Sequence, residues 1–307
     1  MLSVVVVNWN SGTQLRECLD SMRDSEVSAV GEVVVIDNLS SDGSLALVEG
    51  RSGVRVIRAQ ENMGFAAACN LAVKQCRGDL FLFLNPDAVA NPQALSACVN
   101  SLTSEDCRKI GVVGVQLFDA SGYVSRSCAR FPTPWRYLAQ SFGLDKIFPY
   151  LGVSMADWDH SESRQVDHVI GAFYMVRREV FEALHGFDER FFLYLEDLDF
   201  SLRAHQAGWQ SVYLADVQAF HAGGGTSKQI KARRLFYALR SRMLYAFKHF
   251  SLLGALLVCS AILVVEPFTR SALAVCTGSW TSLRETWSAY RMLLLWLPRW
   301  MFKGETR

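Results

Sequence analysis

The sequence predicts an α/β fold in which a mostly parallel sheet is flanked by helices and followed by a C-terminal helical segment suited to a membrane surface. Three observations predict it. Residues 4–7 (VVVV) are an unbroken β-branched run, the pattern of a strand covered on both faces. Short apolar strands then alternate with helical patterns as far as Leu84, which implies βαβ units. After residue 227 the periodicity becomes basic and apolar, and helical throughout.

In chain order, residues 4–7 form the first strand. Asn8-Trp9-Asn10-Ser11-Gly12 follows, then a helix with apolar positions Leu15, Cys18, Leu19 and Met22. Residues 32–36 are the second strand, 37–43 a polar loop, 45–48 a short helix and 54–57 the third strand. Apolar residues at 65, 68, 69, 72, 73 and 76 predict a helix over 65–76. Leu80–Leu84 is the fourth strand, and it stops at Asn85-Pro86-Asp87. Ligands on such sheets bind beyond the carboxyl ends of the strands. Those ends are 8–10, 37–42, 58–63 and 85–87, and all four are polar.

Further on, 111–118 reads as a strand, 131–135 as a proline-rich loop, and 169–176 as one apolar run containing Gly171-Ala172. Residues 191–196 lead into a helix that opens at Glu196-Asp197, carries Leu195, Leu198 and Leu202, and closes at Gly208. Two short strands, 211–214 and 217–221, precede a flexible glycine loop at 223–225. Residues 228–250 interleave Lys228, Lys231, Arg233, Arg234, Arg240, Arg242 and Lys248 with apolar positions, as a basic amphipathic helix does. The apolar stretch 252–265 has 14 residues, short of the roughly 20 that span a bilayer, so it reads as interfacial, re-entrant or core. Trp280, Trp287, Trp296 and Trp300, mixed with arginines, suit the headgroup region.

Composition narrows the function. The 307 residues suffice for a sizeable core, and half are hydrophobic. Lys and Arg total 31 against 30 Asp and Glu, which points to neither nucleic acid nor an acidic partner. Eight cysteines without a CxxC spacing read as small buried hydrophobes in a reducing compartment. The N-terminus has no basic n-region and reads as a strand of a cytoplasmic protein. Walker A, GxGxxG, GxSxG and HExxH are absent, which removes support for P-loop ATPases, simple dinucleotide dehydrogenases, serine hydrolases and zincins.

Acids remain at strand and helix ends. Asp37 could accept a hydrogen bond from a base edge, whereas Ser41 and Asp42 read as a helix cap. Asp87 could hold a hard divalent cation with help from Asn85, although Asn-Pro-Asp is also good turn chemistry. Glu196, Asp197 and Asp199 cluster at a helix start. Asp199 is explained by an i,i+4 pair with Arg203, and the other two follow the aromatic run FFLYL, which would exclude water from a general base. His221 precedes the glycines and is either structural or a metal ligand.

Six segments in order resemble the family 2 inverting glycosyltransferases of the GT-A fold, nearest to a bacterial rhamnosyltransferase-like branch. They are SVVVVNWNSGTQLRECLDS, VVVIDNLSSDGS, ENMGFAAACNLAV, LFLFLNPDA, GAFYMVRREVFEALHGFDERFFLYLEDLDFSLRAHQAGW and FHAGGGTS. The resemblance implies a mixed, mostly parallel GT-A sheet and a catalytic domain over 1–227, with a nucleotide-sugar half (about 1–110) and an acceptor half (about 111–227). The helical region 228–307 follows. It places Asn8, Asn10 and Asp37 at the nucleotide, and Asn62, Gly64, Phe65 and Asn70 along the nucleotide-sugar. Asn85 and Asp87 stand at the family's DxD metal motif, and Gly171 and Ala172 border the sugar and acceptor. Asp197 is implied as the base beside Glu196, and His221 as a second metal ligand with Asp87, for Mg2+ or Mn2+. Asn85 departs from the motif and removes one negative charge, so weaker intrinsic metal affinity is expected.

The implied reaction is an inverting transfer from a nucleoside diphosphate sugar, with dTDP-rhamnose favoured, onto a lipid-linked saccharide. The enzyme would be peripheral on the inner face of the cell membrane, drawn there by the basic helix, and could be a homodimer. The alternatives are a UDP-hexose, UDP-N-acetylhexosamine or UDP-galactofuranose donor, a sugar-1-phosphate nucleotidyltransferase, or a non-catalytic nucleotide-sugar-binding subunit. The nucleotidyltransferase would need a basic glycine-rich loop where this chain has NWNSG.

Overall fold

The computed structural model describes residues 1–22, 29–223 and 230–306. β1 (Leu2–Asn8), β2 (Val30–Asp37), β3 (Val54–Arg58) and β4 (Leu80–Leu84) pair in parallel in the order β3-β2-β1-β4. α1 (Gln14–Asp20) follows β1, and α2 (Gly64–Val73) joins β3 to β4. The helix expected at 45–48 is a single 3-10 turn, Ser44–Leu47, entered through Gly43 at φ 76°. Alternation along β4 explains its unbroken apolar run. Leu80, Leu82 and Leu84 join the core that holds Val4, Val6 and Val35. Phe81 and Phe83 meet a ring cluster with Phe181 and Phe187, at centroid distances of 4.8 to 5.6 Å. Each fully buried phenylalanine contributes about 1.5–3 kcal/mol of hydrophobic stabilisation.

The rest of the sheet is mixed. It includes β5 (Ala88–Ala90), β6 (Ile110–Phe118), β8 (Arg164–Val166) and β10 (Phe173–Arg177), with α3 (Pro92–Thr103) between β5 and β6, while β7 (Cys128–Ala129) and β9 (His168–Val169) pair with each other in a separate two-stranded sheet. α6 (Arg178–Ala183), α7 (Glu196–Gln206) and β11 (Gln210–His221) complete it. β10 lies antiparallel between β4 and β6, and β11 runs parallel to β6. The run expected over 169–176 breaks into β9 and β10, with the turn at Gly171-Ala172 between them. The two strands expected at 211–214 and 217–221 are one. A register shift between Leu214 and Gln218 lets β11 continue, and its end pairs with β5, His221 opposite Ala88.

The chain divides into two compact units. The first holds Met1–Ala129, Trp158–Glu189 and Asp197–Thr226, with the whole nine-stranded sheet of the described residues. The second holds Arg130–Asp157, Arg190–Glu196 and Ser227–Arg307. Its helices are α4 (Pro134–Ser141), α5 (Leu144–Ile147), α8 (Lys231–His249), α9 (Leu252–Ser260), α10 (Glu266–Cys276) and α11 (Trp280–Lys303).

Two expectations about the second unit are corrected. The apolar stretch does not end at Val265: a π turn over Ala261–Val265 carries α9 into α10, giving one helix of 25 residues, Leu252–Cys276. By length and composition it could cross a membrane. Pro267, which has no N–H to donate to a helical ladder, stands just after the π turn, where the regular α hydrogen bonding is already interrupted. Glu266 is buried against Arg242 and Arg270, at 2.7 Å from each. The basic helix α8, in turn, does not hold all its cations at the surface. Arg242 is spent on Glu266, and the Arg240 guanidinium lies 5.1 to 5.5 Å from the ring centres of Phe192, Phe236 and Tyr237. Only 3 % and 6 % of Arg240 and Arg242 are exposed, so neither can reach a lipid headgroup. Lys228 and the glycines at 224 and 225 lie outside the described residues. All eight cysteines are free.

Candidate active site

The ends of β1 and β2 carry a closed polar lattice. The Asn8 amide donates to Asp37 Oδ1 at 2.7 Å, to Ser44 Oγ at 2.9 Å and to Ser40 Oγ at 3.1 Å, and its oxygen accepts from the Ser11 hydroxyl. Asp37 Oδ2 accepts the Ser40 N–H at 3.1 Å. Asn10, at φ 51°, donates its N–H to Ser40 Oγ and accepts the Ser41 N–H at 2.7 Å. Parallel pairing brings Asn8 opposite Asp37 in register, which is why the two side chains meet. Both Asp37 oxygens are thus engaged within the loop. The cap expected at Ser41 and Asp42 is corrected: Gly43 is the N-cap of the 3-10 turn, and Asp42, one residue before it, accepts from the Ser44 N–H at 3.0 Å and from the Gly12 N–H at 2.7 Å.

The next strand end is tied to this lattice by Asn38, a residue that sequence reasoning missed. Its amide donates to Gly64 O at 3.0 Å, and its oxygen accepts the Met63 N–H. Asn62 accepts from Gly64 N–H at the mouth of α2, and the half-buried Phe65 follows it. Asn70 is placed differently. Its carboxamide bonds the N–H and C=O of Phe187 and reaches Glu189, so the structure ties it to the segment before α7 rather than to Asn8 and Asp37.

At the end of β4, Asn85, Asp87 and His221 converge. His221 Nε2 lies 3.2 Å from Asp87 Oδ1 and 3.3 Å from the Asn85 amide nitrogen. The pairing of β5 with β11 and a bond from Ala222 N–H to Asp87 O fix this approach. A carboxylate, an imidazole and a carboxamide are donors suited to Mg2+ or Mn2+. Among the described residues no group of three or more His, Cys, Asp or Glu gathers, so the chain offers two such ligands here, with Asn85 in place of a third. That donor set fits a divalent cation whose remaining positions go to phosphate oxygens and water.

Gly171 and Ala172 connect this turn to the acids. Ala172 O accepts the Asn85 N–H at 3.0 Å, and Gly171 N–H donates to Asp197 Oδ2 at 2.6 Å. A Cβ on Gly171 would lie 2.9 Å from Asp197 Oδ2, so only glycine allows that approach. Tyr194 and Leu195 enter α7 with φ of 70° and 69°, a left-handed pair that is costly for residues with side chains. Glu196 is buried, whereas Asp197 is partly open. Asp199 is fully buried and pairs with Arg203 at 2.8 Å, as its spacing predicts.

Sequence reasoning also missed three buried groups behind Asp197. His168 Nε2 stands 3.6 Å from Asp197 Oδ2, and its Nδ1 is 2.9 Å from Ser201 Oγ, which is 2.8 Å from the Tyr174 hydroxyl. Burial lowers the His168 pKa against the pull of Asp197 and Asp167, which keeps the ring neutral. Burial pushes the Tyr174 phenol up. Ser201 is four residues after Asp197, one helical turn away, and that spacing was the signal available.

Comparisons with known proteins give the family and the fold. Residues 3–185 match the family described as Glycosyl transferase family 2. An N-acetylglucosaminyl-diphospho-decaprenol L-rhamnosyltransferase of Mycobacterium tuberculosis is 27% identical over 240 residues, covering 72% of this chain and 76% of that protein. The rhamnosyltransferase WbbL of Escherichia coli is 23% identical over 256 residues, covering 80% of this chain and 92% of its relative. Among solved structures, a mannosyltransferase from Pyrobaculum calidifontis in complex with GDP-mannose and Mn2+ superposes with a TM-score of 0.57. It is 17% identical and covers 95% of this chain and 86% of that one. The fold shared with it is GT-A.

Proposed function

The chain belongs to glycosyltransferase family 2, and from that premise we propose that this glycosyltransferase moves L-rhamnose from dTDP-rhamnose, with inversion, onto a hydroxyl of a lipid-linked saccharide. One observation carries the reading. Gly171 and Ala172, adjacent in the chain, bond Asp197 on one side and Asn85 on the other, so the candidate base and the Asp87–His221 pair are fixed to one short turn. The rhamnosyltransferase names of the two relatives support the donor sugar.

In this mechanism Asp197 takes the proton of the acceptor hydroxyl, and the freed oxygen attacks the anomeric carbon from the face opposite the diphosphate. The bond from that carbon to the diphosphate oxygen breaks, and its electron pair leaves with the nucleoside diphosphate. A single displacement inverts the centre and needs no glycosyl-enzyme intermediate. Asp87 and His221, with the Asn85 carboxamide, would hold Mg2+ or Mn2+, which when bound supplies Lewis-acid stabilisation of the leaving diphosphate. Asn8, Asn10 and Asp37 shape the floor for the nucleoside, and Asn62, Gly64 and Phe65 line the nucleotide-sugar. Asn70 acts one step back, by bracing the backbone before α7. Residues 1–227 are the catalytic domain in this reading.

A lipid-linked acceptor puts the enzyme at the inner face of the membrane. The Leu252–Cys276 helix supports that placement: Leu253, Leu257, Val264, Phe268 and Val275 are exposed at helical spacing, with no charge among them. The attraction is therefore apolar insertion more than the polybasic pull read from the sequence. The test is a panel of dTDP-rhamnose, UDP-glucose, UDP-N-acetylglucosamine and UDP-galactofuranose with and without EDTA, read as diphosphate release. Release from dTDP-rhamnose that EDTA abolishes is the expected result. Preference for a UDP-sugar would overturn the donor, and full activity in EDTA would overturn the Asp87–His221 role.

A further inference from the structure

Resting on the reading of Asp197 as the base, we infer that His168, Ser201 and Tyr174 form a buried hydrogen-bond chain that positions the Asp197 carboxylate and decides which of its oxygens takes the acceptor proton. The polarity of the chain follows from donor and acceptor counting. An ionised carboxylate only accepts. The His168 nitrogen that faces Asp197 Oδ2 at 3.6 Å must therefore be Nε2–H, because a lone pair there would repel the oxygen. A neutral ring then carries its lone pair on Nδ1, 2.9 Å from Ser201 Oγ. Ser201 donates to Nδ1 and accepts from the Tyr174 hydroxyl at 2.8 Å. All three donors point the same way, towards Asp197.

The consequence is an asymmetric carboxylate. Oδ2 receives the Gly171 N–H at 2.6 Å and faces His168, whereas Oδ1 receives only the neighbouring Leu198 N–H at 2.8 Å among the hydrogen bonds described. Oδ2 is held and Oδ1 takes the proton. At 3.6 Å the His168 contact is charge–dipole rather than a full hydrogen bond, so its effect is graded. The charged groups facing the chain are Asp197 and Asp167 towards His168, and Asp197, Asp199 and Arg203 towards Tyr174. Asp199 and Arg203 neutralise each other, so the net charge facing the chain is that of Asp197 and Asp167, of which only Asp197 faces both His168 and Tyr174. A histidine buried merely as core would bond backbone carbonyls, as His160 does with Trp158 O, whereas both His168 nitrogens face side chains.

The test begins without substrate. Nitrogen-15 NMR of the labelled protein at pH 7, with His168→Gln for assignment, should show His168 as the neutral Nε2–H tautomer. An Nδ1–H tautomer or an imidazolium would overturn the chain. Diphosphate release from whichever of the four nucleotide-sugars above is turned over gives the second readout. His168→Leu should lower kcat about tenfold with an unchanged donor KM and move the acidic limb of the pH profile to higher pH. His168→Gln, which restores a donor near the Nε2 position, should recover most of that loss, and Ser201→Ala should cost about threefold by releasing the tautomer. If His168→Leu and Ser201→Ala both keep the wild-type kcat and pH profile while Asp197→Asn is inactive, the positioning role falls and the base stands. If Asp197→Asn turns over normally, the base reading itself falls. Should His168→Leu fail to fold, His168→Gln, Ser201→Ala and the tautomer carry the decision.

Discussion

Two acids in this molecule, Glu266 buried and Asp87 partly buried, are treated in opposite ways. In the second unit, Glu266 Oε1 accepts from Arg242 and Arg270, and Oε2 accepts from Arg242 and Ser141. Burial alone would raise its pKa, but the two guanidinium groups outweigh burial and hold it below the usual carboxylate range. In the first unit, Asp87 meets an imidazole and sits beside a carboxamide, groups that can also ligate a metal. A carboxylate saturated by fixed cations joins helices. One that meets side chains able to ligate a metal can still receive a cation from outside. The residue type is the same class of acid, and the partners decide its role.

The sharpest way to break this contrast is to remove both acids in turn. Asp87→Ala should cost about a thousandfold in turnover, the scale of several kcal/mol of transition-state charge stabilisation, with the thermal midpoint nearly unchanged. A midpoint that collapsed with activity would make Asp87 structural like Glu266. Glu266→Ala should do the reverse, costing about 3–5 kcal/mol of stability in urea because Arg242 stays buried without its counter-charge. The Glu266 pKa is lower folded than unfolded, so its contribution is present above the ordinary glutamate pKa and is lost as pH falls through the lowered folded value. Acid unfolding of Glu266→Gln should therefore be shallower than that of the native chain, and an unchanged acid profile would remove the ion cluster from the account.

Smaller changes sharpen the comparison within the site. Gly171→Ala should lower kcat roughly tenfold, since its Cβ would push the Asp197 carboxylate from its seat. Unaltered kcat would show that the close approach is dispensable. Asn85→Asp should lower the Mn2+ concentration for half-maximal activity about tenfold by returning a second carboxylate. No change there would place Asn85 outside the coordination. Smallest of all, Arg108→Ala should leave the urea midpoint where it was, because its pair with Glu105 is exposed at both ends.

The strand ends were legible in the sequence. A β-branched run followed by polar residues marks a parallel strand and its ligand-facing tip, and Asn8, Asp37, Asn85 and Asp87 all lie where that pattern put them. The Asp199–Arg203 pair was legible too, because it depends on one helical turn. What escaped was whatever required partners from distant elements. The resemblance put Asn70 along the nucleotide-sugar, and no local pattern signals that its carboxamide spans 117 residues to bond Phe187. Arg240 and Arg242 looked exposed because a cationic helical stripe normally is, but Glu266, 24 residues on, draws Arg242 inside.

The sequence by itself determined the alternation of strands and helices, the polar strand tips and the acid pair that opens α7, because each depends on local periodicity and backbone chemistry. The tertiary structure alone decided that β10 enters the sheet antiparallel, that β11 bends to bring His221 to Asp87, and that His168 stands behind Asp197. Those outcomes depend on pairings between segments far apart in the chain. Such pairings are selected by the packing of whole faces, which no local stretch of residues encodes.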